Sequence, residues 1–154
     1  MNVKRAAVLA ALAPLLSLLT AAAPAPPAPM WPAPTDVAER VRAAGLTMLP
    51  AEGVVMHIHS RLTVYAGGQR VTVPADLGID RSGKEPRYSP LHTHDTSGTV
   101  HVESPRWEDF TVGQLLTEWG VRPACTGVVD GRAVAGDPAR IVFRDGSRIT
   151  LRCR

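Results

Sequence analysis

The stretch that decides the predicted fold spans residues 91–103 and reads LHTHDTSGTVHVE. It has two runs in which polar and apolar residues alternate, and Ser97-Gly98 between them is a turn signal. Successive side chains of a β-strand point to opposite faces, so residues two positions apart share a face. The stretch therefore predicts a β-hairpin with one face that carries His92, His94, His101 and Glu103.

The length of the hairpin loop determines which histidines face each other. A two-residue loop at Ser97-Gly98 would place His94 opposite His101, whereas a four-residue loop over residues 95–98 would place His92 opposite His101. Both registers keep the histidines on one face. Directly opposed residues have Cβ atoms about 5 Å apart. That spacing lets two imidazoles share one metal ion, since zinc–nitrogen bonds are about 2.0–2.1 Å.

The other two histidines lie upstream in a second alternating segment. Residues 54–65 read VVMHIHSRLTVY and predict a strand with His57 and His59 on one face. The opposite, apolar face of this strand carries Ile58, Leu62 and Val64. A face of exposed imidazoles gains little from packing. The paired spacing therefore indicates that the strand lies beside the hairpin, so that His57 or His59 shares a site with the hairpin histidines.

Five imidazoles in such spacing indicate a metal site. Imidazole is a common ligand of zinc and copper. Copper(II) is slightly preferred, because an all-nitrogen site outside the cell suits it and its affinity is the highest of the divalent series; zinc fits nearly as well. The predicted metal ligands are His57, His59, His92, His94, His101 and Glu103.

Two carboxylates accompany the hairpin histidines. Glu103 shares the face of His101 and is either a ligand or an acceptor that fixes an imidazole ring. Asp95 has the same two options, but capping the turn is the favoured interpretation of this residue.

Two other functions fit the same residues. A metal-dependent hydrolase or oxidase would need an open coordination position and a general base, for which Glu103 or Asp95 is the candidate. A module that binds a protein partner through a histidine face would need no metal and would respond to pH near the histidine pKa, about 6.5. We predict a copper or zinc carrier or sensor first, with these two as alternatives.

The N-terminal residues predict export. A basic start, an apolar run over residues 6–19 and small residues after it form a secretory signal peptide over residues 1–22. A linker rich in proline and alanine follows over residues 23–34, and a single metal-binding domain over residues 35–154. We expect a secreted protein without stable membrane insertion after signal cleavage, because no other apolar run is long enough to span a bilayer.

Charge and cysteine usage narrow the function further. The 154-residue chain has a formal net charge of +3, and its arginines are scattered, so it lacks the basic patch of a nucleic-acid-binding protein. In an exported chain the two cysteines, Cys125 and Cys153, predict a disulfide. Thiolate ligation of the metal is the weaker interpretation, because no Cys-x-x-Cys motif occurs.

The order of predicted elements gives the fold class. A helix over residues 36–44, hairpins around 66–69 and 95–98, a second helix over 110–119 and further hairpins follow one another without βαβ units. This order predicts an α+β fold with small antiparallel sheets of hairpins and two short helices. The last hairpin is expected to pair residues 140–143 with 147–153. A β-grasp-like arrangement suits the hairpin–helix–hairpin order of the C-terminal half.

The histidine motifs also resemble those of a known group. Residues 90–105 read PLHTHDTSGTVHVESP and residues 110–114 read FTVGQ. Together with His57-Ile58-His59 they resemble a group of uncharacterised secreted bacterial and archaeal proteins, over roughly residues 45–120. The resemblance implies a single exported domain and implies no particular activity.

Overall fold

The structure is a computed structural model and describes residues 30–154. The predicted signal peptide and most of the predicted linker lie outside the described residues. Two helices, a short 3₁₀ helix and nine strands follow in this order: α1 (Val37–Ala43), β1 (Met56–Ala66), β2 (Gln69–Val71), β3 (Ile79–Asp80), β4 (Arg87–Tyr88), β5 (Leu91–His92), β6 (Thr99–Ser104), α2 (Val112–Trp119), β7 (Cys125–Val129), β8 (Arg132–Val134), the 3₁₀ helix (Pro138–Arg140) and β9 (Arg148–Cys153). Within residues 30–154, no helix combines the length and the apolar character that crossing a membrane requires.

Seven strands form one mixed sheet in the order β5-β6-β1-β9-β7-β8, with β2 paired to β1, and β3 pairs with β4 in a second, small sheet. The predicted α+β class with two short helices is confirmed. The pairing differs from the predicted antiparallel pattern in one place, because β1 and β9 run parallel. Parallel neighbours need a long crossover connection, and the 81 residues between Ala66 and Arg148, which include α2, supply it.

The histidine hairpin adopts one of the two predicted registers. His92 lies opposite His101, as a loop over residues 95–98 requires, although the ladder itself is limited to Leu91–His92 against residues 101–102. Residues 93–98 connect the strands, so His94 lies just beyond the end of β5. The predicted strand at residues 54–65 is β1, which pairs antiparallel with β6 and places His59 directly opposite His101.

The apolar face of this sheet packs with α2 in one hydrophobic cluster. Leu62 and Val64 of β1 belong to it together with Leu115 and Trp119 of α2, and each is at most 2% exposed. Thr111 caps α2 through a reciprocal capping box with Gln114, which satisfies otherwise unpaired backbone groups. The predicted second helix is confirmed, and its apolar residues pack on the sheet from the side opposite the histidines.

The expected hairpin between residues 140–143 and 147–153 is wrong. The backbone N–H of Phe143 donates to the carbonyl oxygen of Phe110, and Val142 forms a β-bridge with Thr111. β9 pairs instead with β1 and β7. Ile141 and Phe143 are buried, so burial of their side chains beside the start of α2 outweighs the local tendency to form a hairpin.

The predicted disulfide joins Cys125 and Cys153, which lie directly opposite each other on β7 and β9. It ties the C-terminal strand to its neighbour. Neither sulfur is therefore a free thiolate for a metal ion.

Candidate metal centre

Three neighbouring strands bring the histidines together. Because β5, β6 and β1 are adjacent in the sheet, His92, His101 and His59 form a row across them, with His101 in the middle. His57 lies opposite Glu103 one step along the same face. The predicted meeting of the first strand and the hairpin is therefore present.

One set of possible ligands consists of His57, His59, His101 and Glu103. One nitrogen or oxygen from each lies within 4.8 Å of all the others. Glu103 is central to the set, because its Oε1 is 3.3 Å from Nε2 of His57 and 3.1 Å from Nδ1 of His101. The rings of His57 and His59 meet edge to face, with centroids 4.9 Å apart.

A second set consists of His92, His94, His101 and Glu103, again within 4.8 Å of one another. Nε2 of His92 and Nε2 of His94 are 3.2 Å apart. The ring of His101 stacks on that of His92 at an interplanar angle of 13°. Histidine and glutamate groups of this protein are thus close enough to hold a metal ion.

Glu52 also belongs to this part of the molecule, and sequence reasoning missed it. Its Oε1 is 3.3 Å from Nε2 of His94 and 3.7 Å from Nε2 of His92. Four ligands at zinc bonds of about 2.0–2.1 Å stand about 3.3–3.4 Å apart at the corners of a tetrahedron. The three donor atoms of Glu52, His92 and His94 therefore have nearly the spacing that one ion requires. We call the five histidines, Glu103 and Glu52 the histidine cluster.

Gly53 explains how Glu52 reaches the cluster. A Cβ at this glycine would lie 2.3 Å from the carbonyl carbon of Ser104, so only glycine lets the segment before β1 pass this close to the end of β6. The N–H of Val55 then donates to the carbonyl oxygen of Ser104. The glycine after the glutamate is the one signal in the sequence that could have indicated this approach.

His92 is the most tightly held histidine. Its side chain is fully buried, and its Nδ1 lies 2.9 Å from the carbonyl oxygen of Ser89, to which an Nδ1–H would donate. That tautomer leaves the Nε2 lone pair free for a metal ion. Burial lowers the pKa of His92 to about 4, so the imidazole is neutral at physiological pH, as a ligand must be.

The shifted pKa values of His59 and Glu103 also favour the protonation states that bind a metal ion. Burial, together with the charges of His101 and His57, lowers the pKa of His59. Burial works to raise the pKa of Glu103, but the hydrogen bond with His101 and the neighbouring histidine charges outweigh it, and the pKa is lowered. A neutral imidazole and an ionised carboxylate are the forms that bind metal ions.

Ser89, whose carbonyl oxygen contacts Nδ1 of His92, is itself fixed by hydrogen bonds of its hydroxyl group. Its hydroxyl donates to Oε1 of Glu118 and accepts from the N–H of Leu91. Glu118 lies on α2 and is fully buried, and burial raises its pKa to about 8. A chain of contacts thus runs from the interior of the fold to the histidine cluster.

Asp95 does not join the histidine cluster. Its carboxylate accepts a 2.8 Å hydrogen bond from the N–H of Ser97, and hydrogen bonding to the side chain and then to the backbone of Ser97 lowers its pKa. The favoured interpretation of Asp95 as the cap of the turn is confirmed. The five histidines and Glu103, in contrast, lie together as predicted.

No family model matches the chain, and no curated protein and no solved structure matches it. The resemblance to a group of secreted proteins therefore stays a prediction. Function must be argued from the geometry of the histidine cluster.

Proposed function

We propose that the protein is an exported carrier or sensor of copper(II) or zinc(II), which it binds through the histidine cluster. The observation that carries this proposal is the spacing of the donor atoms. The distances between Nε2 of His92 and of His94, 3.2 Å, and from Nε2 of His94 to Glu52, 3.3 Å, match those between ligands of one ion. Two histidines without a metal would not need their Nε2 atoms to converge with a carboxylate.

The chemistry of the donors favours these two metals. Imidazole nitrogen suits zinc and copper, whereas a site for calcium or magnesium would be built mainly from oxygen atoms. The disulfide removes both thiols from consideration as ligands, which disfavours copper(I). Copper(II) is slightly preferred over zinc because of its higher intrinsic affinity for such ligands.

Exposure of the cluster suits carriage or sensing. The side chains of His57 and His94 are 53% and 39% exposed, so an ion can enter and leave without opening the hydrophobic core. The disulfide is compatible with an oxidising compartment outside the cytosol. Export through the predicted signal peptide belongs to the same proposal.

Metal analysis tests this proposal. The protein is purified without a histidine tag, stripped with chelator, dialysed against Zn²⁺ or Cu²⁺ alone and analysed for bound metal. We expect stoichiometric binding that falls in His92→Ala/His94→Ala. Glu85→Gln is the matched control, because Glu85 is an exposed carboxylate outside the cluster. Binding that is sub-stoichiometric, or equal in the double variant and the wild type, would refute the proposal.

A metal-dependent hydrolase is the second candidate, and one observation favours it. A surface groove of about 330 Å³ begins at Glu52 and is also lined by Tyr88, Pro50, Ala51, Glu85 and Pro86. A substrate in this groove would reach an ion held by His92 and His94, with Glu52 in place to act as general base. The bases expected from the sequence are Glu103 or Asp95. Glu103 is only 4% exposed and lies beside His57 and His101, and Asp95 accepts a hydrogen bond within the turn.

Turnover separates the two candidates. The metal-loaded protein is assayed with activated ester and phosphoester substrates, alongside Glu52→Gln. Hydrolysis by the wild type that is lost in this variant, with metal retained, would identify an enzyme. Metal binding without turnover in either protein would leave carriage or sensing.

A further inference from the structure

We infer that the histidine cluster holds two metal ions, in two positions that share His101 and Glu103. The inference rests on the proposed function, because it specifies how many ions the same residues bind and where. It predicts a paired centre instead of a single site with unused histidines.

The number of ligands is the first reason. The cluster offers seven donor residues, five histidines and two glutamates. A zinc ion takes four protein ligands in a closed site and three in an open one. One ion would therefore leave at least three donors without a role, whereas two ions with four ligands each and two shared residues use six of the seven donors.

The division of the donor atoms is the second reason. Among residues 30–154, six of the seven donors fall into two sets, each within 4.8 Å, and the sets have only His101 and Glu103 in common. His57 and His59 of β1 belong to one set, and His92 and His94 belong to the other. β6 separates these two pairs, and neighbouring strands are about 4.8 Å apart, so the pairs approach the shared residues from opposite sides.

The position of His101 is the third reason. Its ring centroid is 4.5 Å from that of His59 on one side and 4.5 Å from that of His94 on the other. Its Nδ1 is directed at Oε1 of Glu103, 3.1 Å away, which leaves Nε2 for the second position. A carboxylate can give one oxygen to each ion, and His101 can give one nitrogen to each ion as an imidazolate, whose remaining N–H proton would be released to solvent when the second ion binds.

The burial of Glu103 is the fourth reason. Its side chain is only 4% exposed, and its ion-pair partners within the described residues are His57 and His101, which carry charge only when protonated. A buried carboxylate needs a compensating positive charge. Two divalent ions on either side would supply it, and the carboxylate in turn would reduce the repulsion between them.

The experiment counts ions in variants that each remove one position. The tag-free protein is titrated with Zn²⁺ alone and then with Cu²⁺ alone, by calorimetry and by metal analysis after dialysis. We expect two ions per chain for the wild type and one ion for either His57→Ala/His59→Ala or His92→Ala/His94→Ala. His101→Ala should weaken both positions, by about tenfold or more. Circular dichroism and thermal unfolding check that each variant is folded.

The possible outcomes separate this inference from the proposed function. One ion in the wild type, lost in both double variants, would overturn the two-ion centre and leave metal binding intact. No bound ion in the wild type would overturn both. Loss of a single ion in His101→Ala, with the affinity of the other unchanged, would show that His101 is not shared.

Discussion

The two halves of β1 differ in what surrounds them. The first half, residues 56–61, pairs with β6 and carries His57 and His59, whereas the second half, residues 61–66, pairs in parallel with β9. The even-numbered positions of the second half are buried in the apolar cluster. The outward side chains of the first half are therefore possible metal ligands. The inward side chains of the second half stabilise the fold through apolar packing.

The difference indicates that the residues proposed to bind metal and the residues that stabilise the fold are separate along this strand. Apolar burial contributes about 25 cal/mol per Å² to stability, and the second half supplies it. Exposed or half-exposed imidazoles contribute little in that way. Substitutions in the first half should therefore change the metal affinity, and substitutions in the second half should change the free energy of unfolding.

The largest expected effect comes from the second half. Leu62→Ala removes a side chain that is 1% exposed, and such a cavity lowers the free energy of unfolding by about 2–5 kcal/mol. His59→Ala, the matched change in the first half, should lower it by less than about 1 kcal/mol in the absence of metal. Urea unfolding of the metal-free proteins measures both values. Equal losses in the two variants would show that the halves are not separable.

Much of this division could be predicted from the sequence, because it depends on local periodicity. The alternation of residues 54–65 and 99–104 indicates which side chains share a face. The sequence leaves two registers of the hairpin open, and the structure has the one that places His92 opposite His101. The ends of α2 are signalled by Thr111 and Gly120, which act as its caps. In a chain with a predicted signal peptide, the presence of two cysteines predicts that they pair with each other.

The remaining features depend on contacts between distant segments. The parallel pairing of β1 with β9 joins residues about 87 positions apart in register, and no local pattern specifies it. Residues 140–143 do not pair with 147–153 as predicted, because Phe143 is buried and its backbone bonds to Phe110 instead. Glu52 precedes β1 in a segment without periodicity, and it enters the cluster because Gly53 permits a close backbone approach.

An intermediate effect is expected from Glu118, the buried ionisable group that accepts a hydrogen bond from Ser89. Burial raises the pKa of Glu118 to about 8 from the ordinary value of 4.5, so the folded state keeps a proton that the unfolded state loses. Stability from this proton is fully present below pH 4.5 and is lost as the pH rises towards 8.

The test of Glu118 uses the upper part of this range. His92, whose pKa is lowered to about 4 from 6.5, has the opposite effect on stability below pH 6.5, so its influence is absent between pH 6.5 and 8. There the free energy of unfolding of the metal-free wild type should fall by up to about 1.4 kcal/mol per pH unit, the value for one proton. Glu118→Gln should remove this slope, and Glu85→Gln should retain it. A wild type with a flat profile would show that Glu118 is ionised.

The smallest expected effect lies at the join between the halves, at Arg61. This residue pairs with Thr99 of β6 and with Arg148 of β9. Its guanidinium donates a 2.7 Å hydrogen bond to the carbonyl oxygen of Ser97, in the connection that carries His94. Because Arg61 is exposed, Arg61→Met should change the free energy of unfolding by less than about 1 kcal/mol. The loss of the hydrogen bond should loosen the connection, so that the affinity for the ion at His92 and His94 falls by about three- to tenfold, at or below the range for groups that orient ligands.

Arg148→Met is the control, since its side chain is also exposed but lies on β9, away from this connection. Metal titration and urea unfolding of both variants give the two quantities. An unchanged affinity together with a marked loss of stability would place Arg61 with the half of β1 that holds the fold.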